Sequence, residues 1–160
     1  MHTRSGWVED IMIIDMCIEN VSRCKNIPDE SAIHQWVATA LSGHKHPMEL
    51  NIRIIDEDES AALNHQYRKK NNPTNVLSFP ANLPESLKLP LLGDLAVCAQ
   101  VIEREAREQN KALYAHWAHI IIHGSLHLIG FDHEDDAEAE KMELLETQLL
   151  VSLNFLPPYE

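Results

Sequence analysis

The chain is short of positive charge: 13 lysines and arginines stand against 25 aspartates and glutamates, a formal net charge of −12. So acidic a protein does not hold nucleic acid through a general basic surface, and any such contact has to be local. Cysteine is also scarce. Cys17, Cys24 and Cys98 form no Cys-x-x-Cys pair and cannot all pair with one another, so they read as reduced, partly buried thiols of a cytoplasmic protein. No apolar run is both long enough and free enough of charge to span a bilayer, which excludes a membrane partner. The short run Ile11 to Ile14 is broken at once by Asp15 and Glu19 and does not read as a secretion signal. Repeats, low-complexity tracts and dividing linkers are missing too.

What remains is ordinary except in one respect. At 160 residues, 44% apolar and 24% charged, the chain suits one domain, 1–160, with a real core. Residues 8–19 read as a strand. Ile33, Trp36, Val37, Ala40 and Leu41 follow Pro28-Asp29-Glu30-Ser31 at helical spacing. Leu50, Ile52 and Ile54 alternate with Asn51 and Arg53 as in a half-buried strand. A polar helix runs from Asp58 to about Arg68, and a short strand from Thr74 to Phe79 has flanking prolines that favour a sheet edge. Leu91 to Cys98 reads as a strand broken at Gly93-Asp94, and 99–109 as a surface helix. Residues 112–129 are apolar on every side except for histidines, which predicts a buried helix. A last helix, 135–152, is expected to pack through Met142, Leu145 and Leu149. The fold class is α+β: a small mixed sheet packed with helices around a buried central helix that bears the motif described next.

The exception is histidine. There are ten, and His116, His119, His123, His127 and His133 fall within one short stretch. His123 and His127 are four apart, so on a helix their rings share a face one turn apart and can converge on a metal. Gly130 lets the chain leave the helix through a left-handed residue and can bring His133 back as a third ligand. Three neutral histidines leave coordination positions open, which marks a catalytic zinc site and not a structural one; water bound there can ionise near pH ~7. The spacing is that of the metzincin metalloproteases, except that Gly124 stands where they carry their glutamate base. His119, one turn before His123, is either a ligand-supporting or RNA-facing group or a plain core histidine. Asp132 either orients a ligand or caps the turn. The acidic residues after His133 suit a helix N-terminus.

The segment His123-Gly124-Ser125-Leu126-His127-Leu128-Ile129-Gly130-Phe131-Asp132-His133 resembles the signature of the YbeY family. The likeness continues in Leu63-Asn64-His65-Gln66-Tyr67-Arg68, in Pro73 to Phe79 and in Leu92-Gly93-Asp94. The resemblance implies a metal-dependent endoribonuclease that prefers single-stranded RNA and acts in rRNA processing at the small-subunit RNA 3′ end and in ribosome quality control. It implies one Zn2+ on His123, His127 and His133, a functional arginine at Arg68, and the small ribosomal subunit with its proteins as partners. Two positions depart from the family pattern: Lys69, where glycine is frequent, and Asn71, where aspartate is usual. Arg68-Lys69-Lys70 is a basic cluster in an acidic chain, and a guanidinium suits bidentate phosphate contact. Two other readings stay open, a metalloprotease-like hydrolase and a non-catalytic, zinc-containing ribosome assembly factor.

Overall fold

A computed structural model describes residues 14–43, 47–81, 83, 90–132 and 134–159. Its elements are β1 (Ile14–Asn20), α1 (Glu30–Ala40), β2 (Met48–Ile55), α2 (Glu57–Arg68), β3 (Val76–Pro80), β4 (Leu91–Cys98), α3 (Ala99–Glu108), α4 (Leu113–Leu128) and α5 (Asp136–Ser152). The four strands form one sheet in the order β1-β2-β4-β3. β1, β2 and β4 run parallel and β3 is antiparallel to β4. The fold is therefore α+β with a mixed sheet, and β3 takes the edge that its bounding prolines predict. Of the strand expected over 8–19, residues 8–13 lie outside the described residues.

β2 shows why the sheet forms. Leu50, Ile52 and Ile54 are buried while Asn51 and Arg53 are exposed, the period-two pattern of a strand with one face in the core. β4 corrects an expectation: it runs unbroken through Gly93-Asp94. Locally that pair is a turn signal, but here Gly93 pairs with Leu50 on one side and Pro80 on the other. A Cβ at Gly93 would lie 2.3 Å from the Phe79 carbonyl oxygen. Glycine is therefore what lets β3 come this close, and on the other side the β2–β4 register shifts between Glu49 and Leu50.

The helices cover the sheet for equally local reasons. α1 starts at Asp29, whose carboxylate accepts from the Ala32 N–H at 2.9 Å, and buries Ile33, Trp36, Val37 and Ala40. α4 buries Trp117, Ile120, Ile121, Ile122, Leu126 and Leu128, and His116 and His119 with them. The apolar side chains among these join Trp36, Leu50 and Ile52 in one cluster. Each full burial of such a side chain stabilises the fold by about 1.5–3 kcal/mol.

α5 packs on the core through Met142, with Leu145 and Leu149 against it as expected. Its buried stripe is Met142, Glu146 and Leu150 at four-residue spacing, while Leu145 and Leu149 are only partly buried. Glu146, a carboxylate in that stripe, is 0% exposed.

Candidate metal and RNA cleft

His123 and His127 project from consecutive turns of α4, and their Nε2 atoms lie 3.1 Å apart. The other ring nitrogen of each is engaged from behind. His127 Nδ1 lies 2.9 Å from the Phe131 carbonyl oxygen, and His123 Nδ1 bonds to Glu146 Oε2. A carbonyl and an ionised carboxylate only accept, so both Nδ1 atoms are donors. In the neutral imidazoles Nε2 then carries a lone pair. Two lone pairs at this separation repel unless one nitrogen is protonated or a cation lies between them. Imidazole nitrogens presented in this way are the donor type that a divalent metal takes.

The turn after α4 supplies one of these supports. The Gly130 N–H bonds to the His127 carbonyl at 3.1 Å, and the Phe131 N–H bonds to the Leu126 carbonyl at 3.1 Å. This pair of bonds is the Schellman arrangement, closed by a left-handed residue, and Gly130 has φ +102°. The turn delivers the Phe131 carbonyl to His127. His133, the third expected ligand, lies outside the described residues. Among the described residues no group of three or more histidines, cysteines or acids could hold a metal ion.

Glu146 is the residue that sequence reasoning missed. Burial pushes its carboxyl up, but hydrogen bonds with His119 and His123 outweigh that and bring it down to about 2. It therefore stays ionised and accepts from His123. A signal was present, since Glu146 interrupts the apolar stripe between Met142 and Leu150. His116 is held elsewhere, by Glu105 Oε1 at 2.8 Å, and His119 Nε2 lies 3.2 Å from the Tyr159 hydroxyl.

Arg68 ends α2, and the loop after it is tied down from within. Asn64 Nδ2 donates to the Asn72 carbonyl at 2.7 Å, and Ser60 Oγ donates to the Thr74 carbonyl at 3.0 Å. The chain then returns along β3, where Ser78 Oγ donates to the Gly124 carbonyl at 3.0 Å. Arg68 and Tyr67 thereby line the same cleft as His123, His127, Phe131 and Asp132, a cavity of about 600 Å³. Lys69, at the family's frequent glycine position, has φ +61°, so it takes the backbone conformation that favours glycine there. Asn71, the other departure, bonds His65 Nδ1 through its Oδ1 at 2.9 Å.

No helix among the described residues is long and apolar enough to cross a membrane. The solution structure of TM1509 from Thermotoga maritima resembles this one with a TM-score of 0.52 and 25% identity, covering 87% of this chain and 91% of that one. A family model described as "Endoribonuclease YbeY" matches residues 17–154, from within β1 to just past α5. The chain belongs to the YbeY endoribonuclease family.

Proposed function

We propose that this protein is a zinc-dependent endoribonuclease of single-stranded RNA, acting in the cytoplasm on small-subunit rRNA 3′ ends and in ribosome quality control. The observation that carries the reading is the pair of Nε2 atoms 3.1 Å apart, each on a ring whose Nδ1 donates to a fixed acceptor. His123, His127 and His133 would hold the ion, and neutral imidazoles suit zinc. Bound there, zinc would supply Lewis-acid charge to a scissile phosphate.

The protein's own groups do the rest. Arg68, in the same cleft, holds a phosphate oxygen through its planar fork and offsets the charge that develops on it. The cluster Arg68-Lys69-Lys70 gives an otherwise acidic protein a local place to meet RNA. Exposed Tyr67 stands edge-on to Phe79 with ring centroids 5.0 Å apart, so the cleft offers an aromatic wall beside the phosphate contact. Unpaired bases can stack on such a wall and paired ones cannot.

The metalloprotease reading is the weaker one. A Cβ at Gly124 would already meet Val76 Cγ2 at 3.0 Å and Leu95 Cδ2 at 3.1 Å, so this helix face packs on the sheet and leaves no place for a glutamate base. An assay on single-stranded RNA and on casein, with and without chelator, separates the readings. Chelator-sensitive RNA cleavage with intact casein is expected. Casein cleavage would favour the protease, and inertness towards both would favour the assembly factor.

A further inference from the structure

The carboxylate behind His123 is gripped from its far side by the end of the chain. The Tyr159 hydroxyl donates to Glu146 Oε1 at 2.5 Å, while Oε2 takes the bond from His123 Nδ1. With the hydroxyl hydrogen directed at Glu146, the Tyr159 oxygen can only accept from His119 Nε2, 3.2 Å away. The tail that carries Tyr159 is fastened twice more. Lys111 Nζ donates to the Pro158 carbonyl at 2.9 Å, and the Phe155 ring packs against Trp36 and Tyr114.

This arrangement meets a specific need. Glu146 is 0% exposed, and a buried carboxylate is costly unless both its oxygens are paired; on Oε1, His119 Nε2 reaches only to 3.6 Å and the Tyr159 hydroxyl is the close donor. A second donor on its other oxygen fixes which oxygen faces His123. The carboxylate in turn fixes the tautomer and orientation of that ring. We propose that Tyr159 is a positioning residue of the metal centre: the C-terminal tail clamps Glu146, and Glu146 holds His123 with Nε2 turned toward the ion. The inference rests on the zinc reading above.

The test compares full-length wild type with Tyr159→Phe, Glu146→Gln and His123→Ala. Zinc affinity is measured by competition with a chromophoric chelator, the cobalt-substituted visible spectrum is recorded, and the metal-free melting temperature is taken for each. Tyr159→Phe keeps the ring and its packing but loses the hydroxyl. It should weaken zinc binding about 10-fold and shift the cobalt bands, with Glu146→Gln in the range of about 10–100-fold. A tail that is only a structural staple would lower the metal-free melting temperature of Tyr159→Phe and leave its zinc affinity and cobalt spectrum as in wild type; that result overturns the proposal. Wild-type zinc affinity in His123→Ala would instead overturn the metal reading itself, and the proposal with it.

Discussion

Replacing Gly130 with alanine should damage the metal site through the backbone alone. Gly130 has φ +102°, and among the described residues nothing lies within 4 Å of where its Cβ would be, so the substitution meets no described steric obstacle beyond its own peptide units. Holding an L-residue in the left-handed region costs about 1–2 kcal/mol. For a chain of this size that lowers the melting temperature by roughly 2–8 °C. If the turn relaxes instead, the Phe131 carbonyl moves and His127 Nδ1 loses its acceptor; loss of such a ligand-orienting bond costs about 10–100-fold in metal affinity. Gly43 provides the control. It has φ +98°, with nothing among the described residues within 4 Å, and it follows α1 and does not line the cleft of His123 and His127. Gly43→Ala should lower the melting temperature by a similar amount and leave zinc affinity unchanged. The assay is thermal unfolding of the metal-free proteins beside zinc competition. Wild-type zinc affinity in a Gly130→Ala protein whose melting temperature is also unchanged would refute the link from the turn to His127.

Arg68→Ala should leave zinc content and melting temperature near wild type, because an exposed arginine contributes little to folding. Its cleavage of single-stranded RNA should fall about 10²–10³-fold, with Arg68→Lys recovering part; undiminished cleavage in the alanine variant removes Arg68 from the mechanism. Lys69→Gly relieves a left-handed lysine and should raise stability by up to about 1 kcal/mol in urea unfolding, offset in part by the freer unfolded chain. Burial raises the Glu105 carboxyl, but hydrogen bonds from His116 and Asn75 outweigh it and the group ends below its ordinary value of 4.5. Its stabilising contribution is therefore present above that value and is lost as pH falls through the lower folded one. Glu105→Gln should flatten this acid limb of the urea midpoint against pH, and an unchanged slope would contradict the assignment.

Much of this was legible in the sequence wherever local pattern and final environment agree. The alternation in β2, the Asp29 cap of α1 and the four-residue spacing of His123 and His127 each carry their own geometry. β4 was not legible as one strand, because Gly93-Asp94 signals a turn locally and only pairing on both sides overrides it. Glu146 was hidden differently. In a helix rich in acids it reads as one more solvated charge, and its place between Met142 and Leu150 at four-residue spacing is the one signal that sets it apart. Tyr159 could not be found at all from sequence, since its contact with Glu146 depends on how the tail folds back past α4. The approach of Arg68 to the histidines, by contrast, is expected from the strand that starts at Thr74 and returns the loop to the cleft.

The central claim is that RNA cleavage depends on an ion held by His123 and His127. Metal-free protein titrated with zinc, with single-stranded RNA cleavage followed at each addition, tests it most directly. Cleavage should be absent at the start, rise in proportion to zinc and level off at about one ion per chain. Full cleavage before any zinc is added would contradict the account.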